Sequence, residues 1–232
     1  MAKRTAGKKS KKRKALIQKI AILGMVSIVL VMIGTTSILL WKKSHGEEIP
    51  TFGKSYTPKV EKPQIEEELL TPNKYSRSQL PLKTVKGIVI HYTANPKSDA
   101  MDNRNYFENL KDTHTTSVSS HFIIGLDGTI IQCIPLSEIA YASNDRNVDT
   151  ISIECCHKKK NGAFTDETYQ SLVELTAWLC GEYNLEKDDI IRHYDVTGKN
   201  CPKYYVEHED LWEKFKQDVF AYIDEMGEKE EK

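Results

Sequence analysis

The chain has 232 residues, 39% hydrophobic and 28% charged, with 33 Lys+Arg against 33 Asp+Glu. That composition excludes a wholly disordered chain and a multi-span membrane protein, and 12 Gly with five Cys exclude collagen-like and disulfide-dense scaffolds. The zero net charge is a sum of unlike parts: residues 1–19 hold nine basic side chains and no acid, which leaves 24 basic against 33 acidic residues, net −9, in 20–232.

In chain order, the first element is apolar. Ile20 to Trp41 is 22 residues without a charge, ending on Trp41 and followed by Lys42 and Lys43. At about 1.5 Å per residue such a helix spans a hydrocarbon core of about 30 Å. The run exceeds the apolar stretch of a signal peptide and lacks a small-x-small cleavage site, which predicts an uncleaved single-pass anchor over 20–41. The positive-inside rule then makes 1–19 a basic cytoplasmic tail and puts everything after residue 43 outside. Lysines beside a span act as topology determinants and anionic-lipid contacts, so no nucleic-acid partner is expected. Five of the eight prolines (Pro50, Pro58, Pro63, Pro72, Pro81) fall in the polar stretch 42–83, which predicts an extended extracytoplasmic linker. Within it Glu66–Leu70 is a candidate short helix, and Asn73–Lys83 is expected to begin packing on the domain that follows.

Residues 84–226 read as one folded domain, expected to be monomeric, before a charged tail at 227–232. Gly87–Tyr92 is an apolar, β-branched run that predicts a buried strand ending at His91. His121–Leu126 and Thr129–Ile134 flank Asp127-Gly128, a hairpin signal. In Thr150–Glu154, Ile151 and Ile153 alternate with Ser152 and Glu154, so the two pairs face opposite ways. Asp189–His193 is a further strand candidate. Helices are predicted from Thr165 as N-cap through Tyr183, over Glu209–Glu225, and more weakly over Asn103–Lys111 with Tyr106, Phe107 and Leu110 buried. Strands interleaved with helices predict an α/β fold, a mixed central sheet flanked by helices.

His91 and His193 end two strands, and Cys201 follows His193 at H-x7-C. Two imidazoles and one thiolate match a catalytic zinc site with a fourth position open, whereas a structural site would use four closed ligands. A lone His at a strand end is more often structural; here these residues sit in a larger pattern. Ile90-His91-Tyr92-Thr93-Ala94, Ser120-His121-Phe122 through Ile130, Ile151-Ser152-Ile153-Glu154, and His193-Tyr194-Asp195 with Lys199-Asn200-Cys201-Pro202 occur in order. Over about residues 84–215 the chain resembles the zinc-dependent N-acetylmuramoyl-L-alanine amidases, which include phage lysozyme-type amidases and peptidoglycan recognition proteins.

The resemblance implies Zn2+ on His91, His193 and Cys201, with Glu154 as acid/base and Lys199 stabilising the oxyanion. It also implies peptidoglycan as substrate, cut between the lactyl group of N-acetylmuramic acid and L-alanine. The reaction's own chemistry agrees: an unactivated amide needs a strong nucleophile, a proton carrier and charge stabilisation at the carbonyl oxygen. Ser120 stands where some members carry a catalytic Tyr. A His often found before the Glu-bearing strand is missing from Ala140-Tyr141-Ala142, so Tyr141 is expected to line the groove. His121 reads as a supporting or groove residue, and His45, His114, His157 and His208 as surface. Setting Cys201 aside leaves Cys133, Cys155, Cys156 and Cys180, which permit two disulfides but read first as buried free thiols. The expectation is a membrane-anchored wall amidase with an extracytoplasmic catalytic domain. The alternative is a non-catalytic peptidoglycan-binding module of the same fold, disfavoured because Glu154, Lys199 and Cys201 are all kept.

Overall fold

Alternating strands build the sheet at the centre of the structure, a computed structural model that describes residues 56–227. The basic tail, the predicted span, the first part of the predicted linker and residues 228–232 lie outside the described residues. Six strands make one sheet: β1 (Glu66–Glu67), β2 (Ile88–Tyr92), β3 (Phe122–Ile124), β4 (Ile130–Gln132), β5 (Ile151–Cys155) and β6 (Ile190–Arg192). Their order is β1-β4-β3-β5-β2-β6, antiparallel at the β3–β4 hairpin and parallel elsewhere. The expected mixed α/β architecture is therefore present. The hairpin forms where predicted, but residues 125–129 separate its strands. Thr129 O accepts from Gly125 N–H at 2.8 Å, and Asp127 Oδ1 accepts from Thr129 N–H at 3.0 Å. Gly128 sits at φ +86°, a conformation that excludes most side chains.

Among the described residues five α-helices flank the sheet: α1 (Ala100–Thr113), α2 (Asp166–Tyr183), α3 (His193–Thr197), α4 (Lys203–Glu207) and α5 (Glu209–Met226). Strand alternation divides the apolar residues between two cores. Ile88, Ile90, Ile151 and Ile153 pack with Leu172 and Leu179 of α2 and with Trp212, Phe215 and Val219 of α5. Ile123 and Ile131 pack on the other face with Phe107 of α1, Cys133 and Cys156. Thr165 caps α2 as predicted, accepting from Thr168 N–H. Helix α1 starts earlier than expected, because Asp99 and Asp102 form a reciprocal cap upstream of Asn103. Phe107 and Leu110 are buried, but Tyr106 is 51% exposed. It is turned by about 100° from Phe107, off the stripe formed by Ala100, Asn103, Phe107 and Leu110.

The described part of the predicted linker is no tether. Glu66–Glu67 is a strand, where a short helix was a candidate, and it pairs with Ile131 and Gln132. Val60, Leu70 and Leu82 are buried, and the hydroxyl of Thr57 donates to Leu185 O at 2.8 Å. Gly181 of α2 admits this segment: a Cβ there would meet Pro58 O and Lys59 Cα, each at 2.8 Å. The prolines keep the stretch extended, and its spaced apolar residues dock it on the domain. Among the described residues no helix is long and apolar enough to cross a membrane.

Leu70 has no exposed surface. Leu70→Ala is therefore expected to cost about 2–5 kcal/mol in urea unfolding, whereas a residue in a free linker would cost nothing.

Candidate metal centre

Three neighbouring parallel strands deliver the chemistry to one edge. In β5–β2 pairing His91 is opposite Glu154, and in β2–β6 pairing Ile90 is opposite Arg192. His193, the next residue after β6, therefore emerges beside His91. It opens α3, where the sequence had placed it at the end of a strand. The C-terminal ends of parallel strands are the usual place for a site in such a sheet, because all three strands release their next side chains at the same level. Gly198 ends α3 at φ +76°, turning the chain so that Cys201 returns, with its carbonyl accepting from Tyr194 N–H at 2.9 Å.

His91, His193 and Cys201 are all buried, and their donor atoms lie within 4.8 Å of one another. His91 Nδ1 is 3.1 Å from His193 Nδ1 and 3.8 Å from Cys201 Sγ. A tetrahedral ion with bonds of about 2.0–2.1 Å to nitrogen and about 2.3 Å to sulfur requires N···N near about 3.3 Å and N···S near about 3.6 Å. The observed spacings lie close to both, so the donor set fits zinc. No other group of three such donors occurs among the described residues.

The far nitrogens of both rings are held. His91 Nε2 is 3.2 Å from Ser143 Oγ, and His193 Nε2 is 3.1 Å from Asn144 Oδ1. An amide oxygen only accepts, so His193 carries its proton on Nε2 and presents a bare Nδ1; the serine permits the same tautomer at His91. Asn147 Oδ1 accepts from the backbone N–H of Ala142 and Ser143, at 3.0 and 2.6 Å, and fixes this turn. Asn144 itself adopts φ +52°, a left-handed conformation that asparagine tolerates. Sequence reasoning missed Ser143, Asn144 and Asn147, because in sequence they are only a polar turn.

Burial governs the protonation of the site's groups. Burial holds His91 well below the usual imidazole range, with His193 and Lys199 adding to the effect. Burial pushes the Cys201 thiol up to about 12, Glu154 adding to it. Burial raises the Glu154 carboxyl to about 7, against the opposing charge of Lys199, and Glu154 Oε2 is buried without a hydrogen-bond partner. Without a cation these groups favour their uncharged forms; a divalent ion offsets that cost.

Beside the cluster opens a groove of about 460 Å³, into which His193, Lys199, Asn144 and, as expected, Tyr141 project. Ser120 is fully buried and donates to Ser152 O, so it faces away from the groove. His121 is outside the cluster: buried, it bridges Ser152 and Glu138 O, and burial lowers it to about 4. His157, expected at the surface, is buried with Nδ1 2.8 Å from Lys159 O. The reason is the ring of Tyr92, whose centroid lies 5.2 Å away and covers it. His114 and His208 are exposed, and His45 lies outside the described residues. All five cysteines are free and buried.

A family profile described as N-acetylmuramoyl-L-alanine amidase matches residues 81–204, just over half of the chain. The chain belongs to this family. A probable N-acetylmuramoyl-L-alanine amidase of Bacillus licheniformis is 35% identical over 163 residues, covering 65% of this chain and 46% of that protein. The amidase BlyA of Bacillus subtilis (strain 168) is 35% identical over 170 residues, covering 64% and 45%. The chain thus spans about half the length of the curated relatives it matches. Among solved structures, PlyL superposes with a TM-score of 0.58 at 28% identity, covering 67% of this chain and 96% of PlyL. The catalytic domain of XlyA gives 0.57 at 26%, covering 67% and 99%.

Asn144→Gly keeps the left-handed backbone but removes the acceptor on His193 Nε2, and is expected to weaken zinc binding about 10–100-fold in a chelator competition titration. A carboxyl raised from 4.5 to about 7 destabilises the metal-free fold increasingly as pH climbs through that interval. Metal-free Glu154→Gln should accordingly exceed the parent in stability by on the order of 2 kcal/mol at pH 8 and match it at pH 4, read by denaturant unfolding.

Proposed function

We propose that the chain is a zinc-dependent N-acetylmuramoyl-L-alanine amidase of the cell wall. It hydrolyses the amide between the lactyl group of N-acetylmuramic acid and L-alanine in peptidoglycan. The observation that carries this is the convergence of His91 Nδ1, His193 Nδ1 and Cys201 Sγ on one point beside the groove, next to the unpartnered oxygen of Glu154. The names of the matched relatives support the reaction, and the family match supports the metal.

Zinc held by these three donors would supply Lewis acidity for the carbonyl and a nucleophilic water near neutral pH. The rest is done by side chains. Glu154, raised to about 7 by burial, is poised to take the proton of the attacking water and return it to the leaving amine of alanine. Lys199 lies in the groove, makes no ion pair among the described residues, and offsets negative charge developing on the carbonyl oxygen. With Ser120 turned into the core, Glu154 carries the proton work alone.

The anchor belongs to the same proposal. The uncharged run 20–41 and the nine basic residues before it support a single span with the amidase outside, facing the wall. External protease acting on intact spheroplasts should then digest the catalytic domain; complete protection of it would rule this topology out.

The enzymatic test uses the full chain in detergent micelles with purified peptidoglycan. Free amino termini of L-alanine are expected to appear without new reducing sugar ends, and a zinc chelator should abolish their release. Glu154→Ala should retain zinc and lose about 10²–10⁴-fold in rate. Peptidoglycan binding by the zinc-loaded chain without amine release would instead make it a recognition module.

A further inference from the structure

One lining residue of the groove, Lys74, comes from outside the family match, which begins at residue 81. Residues 71–77 form a tight turn braced from several sides. Asn73 and Arg77 exchange backbone hydrogen bonds at 2.8 and 3.2 Å. Asn73 Oδ1 accepts from the N–H groups of Tyr75 and Ser76, at 2.7 and 2.9 Å. Arg77 forms a two-pronged ion pair with Glu138 at 2.9 and 2.8 Å, and Thr71 donates to Glu108 from both N–H and Oγ1. Tyr75 stacks on His114 with ring centroids 4.4 Å apart and planes 17° from parallel. Lys74 stands at the tip of this turn, its Nζ 5.0 Å from the centre of the Tyr75 ring, and it lines the same groove as His193 and Lys199.

The charge in the groove is one-sided. Lys74 and Lys199 are the basic side chains of its lining, and among the described residues no Asp or Glu lines it. Neither lysine makes an ion pair among the described residues. Yet residues 56–227 as a whole hold 19 Lys+Arg against 28 Asp+Glu, net −9. An electropositive groove in an acidic domain points to a local anionic ligand group.

We propose that Lys74 forms a subsite that reads a free carboxylate on the stem peptide, making it a specificity-determining residue. This rests on the amidase reading, which supplies the ligand's chemistry. In that substrate the lactyl carboxyl is consumed in the scissile amide, and the sugar side carries hydroxyl and N-acetyl groups. The negative charge near the cut therefore resides on carboxylates of the peptide. An ammonium held by a rigid turn binds such a group with little loss of side-chain entropy beyond the lysine's own. Wall chains whose stem carboxyls are amidated lack the feature and are cut more slowly.

The test compares N-acetylmuramoyl-L-alanyl-D-glutamyl-L-alanine, every peptide carboxyl free, with the same compound fully amidated. The full chain in detergent micelles, zinc-loaded, is used for kcat/KM and for Kd by calorimetry. The parent should prefer the free acid about tenfold, a preference that shrinks as salt is raised. Lys74→Met should bring the acid-to-amide ratio within about twofold of unity, and Lys74→Arg should keep most of it. Lys74 is exposed, so neither substitution threatens the fold. Equal treatment of the two compounds by the parent, or a preference that survives in Lys74→Met, overturns the subsite and leaves the amidase standing. Lys74-dependent binding of the acid without cleavage of either compound overturns the amidase reading and leaves the subsite. Neither binding nor cleavage overturns both.

Discussion

The candidate centre depends on the register of three parallel strands. With His91 opposite Glu154 and Ile90 opposite Arg192, an imidazole, a carboxylate and a second imidazole leave the sheet at one edge. A slip of one residue in β2 would turn His91 into the apolar core and bring a neighbour to the site in its place. What prevents the slip is on the opposite face, where Ile88, Ile90, Ile151 and Ile153 are fully buried against α2 and α5. Packing on one side of the sheet thus sets geometry on the other, and the polar residues need supply little of the stabilisation that positions them.

They do have to be held once placed. Arg192, immediately before His193, ties together the three short or terminal helical segments that follow. It pairs with Asp195 at 2.8 Å and with Glu209 at 2.6 Å, and donates to Tyr205 O at 3.0 Å, with its guanidinium 5.2 Å from the ring of Trp212. A buried guanidinium with all its partners supplied locks orientation more than it adds net stability. Behind the rings, the turn 142–147 performs the complementary task by holding the outer nitrogens. Both histidines are consequently fixed in ring plane, and their free nitrogens face each other at a distance that favours a cation between them.

The sequence was legible wherever burial produces periodicity. The alternation of Ile151 and Ile153 with Ser152 and Glu154, the capped stripe from Thr165 to Tyr183 and the β-branched run at Gly87–Tyr92 each appear as expected. The convergence of His91, His193 and Cys201 was also legible, through motif order instead of spacing. Three kinds of residue were not. Ser143, Asn144 and Asn147 act through backbone geometry, and a polar turn has the same letters whether it faces solvent or a metal. His157 is covered by Tyr92, a contact between chain segments that no local pattern encodes. The stretch from residue 56 to 83 reads as linker because prolines and charges dominate it. Its docking rests on a few spaced apolar residues, Val60, Leu70 and Leu82, and on a bare spot at Gly181 that only the fold reveals.

That docked stretch alters what the net charge means. A neutral chain divides into a basic end and an acidic remainder, and an acidic domain gains nothing from long-range attraction to an anionic ligand. Recognition must then come from charges placed within a few ångströms of the ligand, inside the screening length, where bulk sign matters little. The groove meets that requirement with two lysines of different origin. Lys199 lies on the same loop as Cys201 and comes with the centre itself, whereas Lys74 is delivered by a segment that packs alongside the family match. The candidate metal donors and part of the groove lining are thereby carried by separate pieces of chain. Variation in the docked stretch can alter the charge lining the groove while the register of β5, β2 and β6 stays as it is.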